Sequence, residues 1–361
     1  MPLIAGSEEH VNRNPPEQGR PGGTEAGAAE DPRDGLMRLL VGPWLFGAVG
    51  AAVRLGVPDL LAGGPRTARE LAAEVPADPE SLYRLLRVLV SVGVLAEADP
   101  GTFALTGRGE LLRSEAPGSL RPLALLYGER YFAQAWERLP EAVRTGERAF
   151  DLAHGRSVFD FLAAHPEEAA RYTEGIAAGS AFLHEVPGAF AFPDKARVVD
   201  VGGGDGGLLA SVLRAHPGTT GVLHELPAAA AEARETLADL VSQGRCEVAV
   251  GDFTEAVPEH GDAYLLCRVL HNWDDAACRA LLSRCARAME PGGAVLILER
   301  VLPDDAYPQL SLAFDLHMMV MTRGRERTLA EYRDLLGAAG LRLDEVRGLA
   351  SEMSLLVARA E

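Results

Sequence analysis

No stretch of this chain stays apolar for the ~20 residues that a bilayer-crossing helix needs. The longest candidate, residues 36–61, is broken by Arg38, Pro43, Arg54 and Pro58. No membrane partner is expected. The N-terminus lacks a basic stretch followed by an apolar core, so no secretory leader is expected either. A cytoplasmic location follows by default. Cysteine is scarce: Cys246, Cys267, Cys278 and Cys285 form no C-x-x-C pair. That removes the usual zinc and redox motifs and leaves reduced structural thiols with no metal. Positive charge is short too, with 35 Lys and Arg against 52 Asp and Glu, a net charge of −17. Nucleic-acid binding depends on neutralising phosphates, so a nucleic-acid partner is not expected. Internal repeats are also missing.

What is there is apolar material enough for two cores. The 361 residues are 47% hydrophobic, which is long for one compact core and comfortable for two. Residues 1–33 hold Pro, Gly, Glu and Asn with little aliphatic periodicity, and read as a disordered tail. Residues 34–188 read as a helical domain. Leu36, Leu39, Leu40, Trp44 and Leu45 recur at helix spacing. Thr67 and Glu70 form a capping-box pattern. A further helix follows Asp78, with Leu82, Leu85, Leu86 and Leu89 on one face, and a short hairpin turns at Asp99-Pro100-Gly101. Helices followed by a hairpin make the winged-helix pattern. Its would-be recognition helix offers only Arg84 and Arg87, with Glu70, Glu74, Asp78 and Glu80 close by. A structural or dimerising role is therefore expected rather than DNA reading. Residues 118–190 continue as helices rich in aromatics, among them Tyr127, Tyr131, Phe132, Trp136 and Tyr172.

The pattern changes in residues 189–361. Short β-branched runs at 197–201, 219–224, 246–250, 263–267 and 294–298 alternate with helical stretches at 207–215, 228–241 and 275–289. Such alternation predicts an α/β domain, a doubly wound, mostly parallel Rossmann-like sheet with helices on both faces. Ligands then sit at the carboxyl ends of the strands.

Four signals lie at those ends. The run Asp200-Val-Gly-Gly-Gly-Asp-Gly-Gly207 follows the first strand. Gly202, Gly204 and Gly207 satisfy the dinucleotide spacing G-x-G-x-x-G. Gly202, Gly204 and Gly206, with Asp200 ahead of them, equally satisfy D-x-G-x-G-x-G. Glu225 ends the second strand, where an acid accepts hydrogen bonds from both ribose hydroxyls of either cofactor. Gly251-Asp252-Phe253 follows the third, with Asp252 placed for an adenine amino group and Phe253 for its ring. The fourth strand runs into Arg268, His271 and Trp273.

At this point the chain resembles the SAM-dependent small-molecule O-methyltransferases, of the plant caffeate type and their actinobacterial natural-product relatives. The likeness runs from about Leu36 to the C-terminus. It rests on Asp200 to Gly204, Glu225-Leu226-Pro227, Gly251 to Phe253, Arg268 to Asp275, Pro291 to Gly293 with Glu299, and Gly324 to Thr328. The resemblance implies S-adenosyl-L-methionine as cofactor, its demethylated form SAH as product, and no metal. It implies SAM contacts from Asp200, Gly202, Gly204, Glu225, Leu226, Gly251, Asp252, Phe253 and Arg268. It implies His271 as the base that deprotonates a phenolic hydroxyl, with Glu299 and Glu326 flanking its imidazole and Asp315 as a helper. Met318 and Met321, with Tyr131 and Trp136, would wall a pocket for an aromatic small-molecule acceptor of the polyketide kind. His184, His224 and His317 are left as structural. A homodimer joined through the N-terminal helices is implied as well. The alternative is a SAM-binding enzyme of the same fold that hydroxylates or decarboxylates. An NAD-dependent dehydrogenase shares the glycines and Glu225 but leaves 268–275 and 324–328 unexplained.

Overall fold

The computed structural model describes residues 31–322 and 324–361. Residues 1–30 of the expected tail lie outside the described residues. Its last residues are already structured, because a helix starts at Pro32 with Asp31 capping the Arg33 amide at 2.8 Å. The described residues form two compact units, one ending at Trp44 and one running from Leu45 to Glu361. In the first unit Leu36, Met37, Leu39, Leu40 and Trp44 are all exposed, Trp44 to 75%. No single helix among the described residues is long and apolar enough to cross a membrane.

The larger unit opens with the expected helices and hairpin. Thr67 and Glu70 do form a capping box, starting the helix Ala68–Glu74. The helix Pro79–Ser91 is capped by Asp78 and buries Leu82, Leu86 and Leu89. Strands β1 (Arg66–Thr67), β2 (Leu95–Asp99) and β3 (Thr102–Leu105) make a small antiparallel sheet in the order β1-β3-β2. Phe103 is fully buried there and meets Tyr83 edge-on at 5.8 Å.

The main sheet contains β4 (Arg197–Val201), β5 (Thr220–Glu225), β6 (Cys246–Val250), β7 (Gly261–Cys267), β8 (Met289–Leu302), β10 (Leu341–Gly348) and β11 (Met353–Ala360); the short β9 (Arg327–Thr328) pairs with β8 off its path. The order is β10-β11-β8-β7-β4-β5-β6. The stretch from β6 to β8 is parallel, and β11 runs antiparallel between β8 and β10. A dinucleotide-binding sheet shares the parallel half but has no such inserted strand. Successive residues point to opposite faces. Val198, Leu265 and Leu296 therefore enter one core, and Val199, Leu266 and Ile297 the other. Both faces are buried, as parallel sheets require.

The expected boundary between 188 and 189 does not separate two cores. Phe182 and Val186 already pack with the sheet. Leu126, Phe132 and Phe150 of the helical stretch share a core with Val320 and Met321 from the far end of the chain. The strands β10 and β11 were not singled out from the sequence. Their stretch carries charged residues on an exposed face of β10, which hides the apolar alternation.

Candidate active site

The chain leaves β7 through a sharp turn. Arg268 adopts a left-handed backbone, φ +54°, a conformation uncommon without glycine. The Asn272 side-chain amide donates to the Arg268 carbonyl at 3.0 Å. A carboxylate could not make that bond. The single helical turn Leu270–Asn272 then places His271, which is buried. Its Nδ1 lies 3.1 Å from Glu326 Oε1 and 3.3 Å from Glu299 Oε2. Nδ1 carries one hydrogen. The nearer Glu326 oxygen takes the hydrogen bond, and Glu299 adds charge while accepting the His271 backbone N–H at 3.3 Å. Nε2 is left as the ring nitrogen able to take a proton. Burial works against charging the imidazole, but the two carboxylates outweigh it and raise its pKa above the ordinary value. Burial pushes Glu299 up to about 7, against the pull of His271 and with the push of Glu326. The three side chains also have the composition of a metal site, with donor atoms within 4.8 Å of one another. Their separations are those of hydrogen bonds, and a proton joins them as they stand.

A second motif locks this arrangement. A side-chain carbon at Gly324 would stand 1.6 Å from the His271 carbonyl oxygen, so only glycine lets the two segments meet. Asp315, the expected helper, accepts the Glu326 backbone N–H at 2.9 Å. It holds the holder of His271 and makes no hydrogen bond to the imidazole. The sequence reading assigned no role to Arg327, yet its fully buried guanidinium does most of the fastening. It donates to the carbonyls of Leu270 at 3.1 Å and Trp273 at 2.8 Å, and to Asp275 Oδ1 at 2.8 Å.

The aromatic segment meets the same neighbourhood through a residue set aside as structural. His317 lies on the helix Gln309–Met321. It stacks on Phe132 at 5.7 Å and Trp136 at 6.1 Å, and meets Tyr127 and Phe314 edge-on. Burial, with the His271 charge, lowers its pKa to about 4, so the ring is neutral at physiological pH. Trp136 thus stands in the ring cluster around His317. Tyr131 packs instead among Phe132, Phe150 and Phe161. Met318 and Met321 are both buried, and Met321 belongs to the helical core. No sequence signal separates His317 from an ordinary core histidine, because Tyr127, Phe132 and Trp136 come from helices about 180 residues earlier in the chain.

The glycine run resolves the ambiguity of its spacing. Gly202, Gly204 and Gly206 have φ of +68°, +58° and +79°. Gly207 opens the helix Gly207–Ala215 instead. The left-handed positions follow D-x-G-x-G-x-G.

Comparison with known proteins agrees. A profile of the O-methyltransferase domain matches residues 136–342, and one of the O-methyltransferase dimerisation domain matches residues 34–115. The chain belongs to the O-methyltransferase family. A phenazine O-methyltransferase of Lysobacter antibioticus is 38% identical over 90% of this chain and 95% of its own. A mitomycin biosynthesis 6-O-methyltransferase of Streptomyces lavendulae is 39% identical over 89% of this chain and 92% of its own. The SAH-bound methyltransferase of calicheamicin biosynthesis superposes with a TM-score of 0.82 at 38% identity, over 92% of this chain and all of that one, 100%. This enzyme is a SAM-dependent O-methyltransferase with the family's dimerisation domain ahead of its catalytic one.

The methyltransferase's own residues fit that cofactor. Asp200 is buried with both carboxylate oxygens unpartnered, and burial, helped by Glu225 and Asp205, pushes it up to about 7. Glu225 ends β5 with its pKa raised by burial, and the Leu226 amide donates to it. Asp252 follows β6 and keeps one oxygen on the Thr254 amide at 2.7 Å. So many acids at one sheet edge suit a cationic cofactor and would repel the pyrophosphate of a dinucleotide. A side-chain carbon at Gly202 would sit 3.4 Å from the Phe253 ring, while nothing lies within 4 Å of one at Gly204. Gly251 has another task, because a carbon there would be 2.5 Å from the His224 ring. Leu226 is exposed beside Glu225. Arg268 turns towards the helix Pro166–Ala178, donating to the Ile176 carbonyl at 3.4 Å over the Phe182 ring.

Proposed function

We propose that this methyltransferase methylates a phenolic hydroxyl of an aromatic natural product, with His271 as general base. The observation that carries this reading is the buried imidazole pinned at Nδ1 by Glu326 and Glu299, with Nε2 free. A phenol of pKa ≈ 10 is mostly protonated at neutral pH, so a base beside it improves the nucleophile. SAM, when bound, supplies a methyl group on a positively charged sulfur. Asp200, the glycines from 202, Glu225, Leu226, Asp252, Phe253 and Arg268 would hold it. Nε2 of His271 takes the phenolic proton, and the two carboxylates stabilise the imidazolium that results. The rings of Trp136, Phe132 and Phe314 around His317 suit a flat acceptor. The phenazine named for one relative is a ring system of that kind.

The dimerisation profile and the exposed apolar residues from Leu36 to Trp44 support a homodimer. The test of function is incubation of the purified protein with SAM and a set of polycyclic phenols and aromatic amines. A methyl mass shift on a phenol is expected, lost in His271→Ala. Methylation of the amines alone would overturn the oxygen acceptor.

A further inference from the structure

Arg300 follows Glu299 near the end of β8 and is only 6% exposed. Among the described residues no carboxylate lies in ion-pair range of its guanidinium, and none accepts a hydrogen bond from it. Its buried Nε has no partner at all. Its contact is the Phe314 ring, 3.8 Å from the guanidinium carbon. A guanidinium taken out of water without a counter-charge is costly, by several kcal/mol on the general scale for buried ions. Burial lowers its pKa, Glu326 and Glu299 offset this in part, and the repulsion of Arg268 adds to it. An anion between the two arginines would relieve that repulsion.

The surroundings say which anion. Phe314 and Tyr127, which Arg300 respectively touches and senses electrostatically, are two of the rings around His317. Arg300 therefore borders the cluster of rings around His317, a cluster that feels the charge of His271. Of the residues expected to hold SAM, all but Arg268 lie beyond β4, β5 and β6, and β4 is separated from β8 by β7; Arg268 follows β7 and turns to the Ile176 carbonyl. We propose that Arg300 binds a carboxylate on the acceptor, so that the enzyme's substrates are aromatic hydroxy acids. The planar guanidinium fork matches a carboxylate in two parallel hydrogen bonds. Phe314 would hold its face and leave its edge for the acid. His317, a neutral ring, adds a donor without adding a competing charge.

This inference deepens the proposed function and rests on it, and one titration series separates them. The full chain, first saturated with SAH, is titrated by calorimetry with a set of hydroxynaphthoic acids. Each acid is compared with the naphthol that lacks its carboxylate. Wild type is expected to bind at least one acid tenfold or more tightly than its naphthol, the scale of a charge-assisted hydrogen bond. R300Q is expected to level the pair while keeping wild-type SAH affinity, which also shows that it is folded. R300K keeps the charge without the fork and is expected to retain part of the preference. Should R300Q not fold, wild type and R300K decide. No acid preference in wild type overturns the proposal. So does a preference that survives in R300Q. A loss of SAH affinity in R300Q with acceptor binding unchanged assigns Arg300 to the cofactor's carboxylate instead, and also overturns it. Failure of wild type to bind SAH would strike the methyltransferase reading itself.

Discussion

His271 gathers two buried carboxylates on one ring nitrogen, whereas His260 meets Glu259 and Glu290 on the surface. Burial keeps solvent from screening the first arrangement, and there the two carboxylates raise the imidazole's pKa. Replacing His271 by Ala is expected to lower kcat about a hundred- to ten-thousandfold, the usual range for a general base. SAH affinity by calorimetry should stay close to wild type. The base works in its neutral form, so kcat/KM should rise as pH climbs through its raised pKa. Glu326→Gln removes one of the charges that raise it, and the acidic limb should move to lower pH. An unmoved limb would take Glu326 out of this role. Asp200 supplies a test on stability. Its folded pKa is raised, so its contribution is complete below about 3.8 and lost as pH rises through about 7. Asp200→Asn should therefore gain in Tm relative to wild type as pH rises from about 5 to about 8.

At the level of elements, the loop 268–275 and the segment 324–328 act as one piece. Gly324 gives the close approach, and Arg327 ties down Leu270, Trp273 and Asp275. Arg327→Ala strips buried carbonyls of their donor and should cost about 2–4 kcal/mol in urea unfolding. Activity should fall further than SAH affinity, because His271 sits on the freed loop. Both motifs were legible in the sequence as runs of unusual residues. Their contact was not, since 50 or so positions separate them and no local rule pairs them. The strands β4 to β7 were legible for the opposite reason. Two buried faces demand continuous apolar runs, and such runs show in any sequence. The strand β11 shows eight residues, Met353–Ala360, mostly buried, yet its antiparallel seat between β8 and β10 is a matter of packing alone.

For the whole molecule, the exposed residues Leu36, Leu39, Leu40 and Trp44 present an apolar surface unusual for a lone chain. Light scattering after size exclusion should give twice the 38.4 kDa chain mass. Trp44→Asp should shift that equilibrium towards monomer, and a monomeric wild type would remove the homodimer. The larger unit draws its ring cluster from two distant parts of the chain. The rings of Tyr127, Phe132 and Trp136 come from the middle helices, and His317 and Phe314 from near the C-terminus. That shared core is why a boundary at 188 does not part the molecule.

The sequence by itself determined the doubly wound sheet and the methyltransferase family, and it put His271 forward as the base. These rest on local chemistry: apolar runs, glycines with left-handed backbone, and an acid or histidine at a strand's end. Only the tertiary structure decided which D-x-G spacing bears the left-handed turns, that Arg327 fastens the loop 268–275, that Tyr131 is core while His317 stacks on Phe132 and Trp136, and that Arg300 lies buried without a counter-ion in ion-pair range. Each of these depends on residues far apart in the chain being brought within a few ångströms. Burial and the missing partner, rather than residue type, then set what the side chain does.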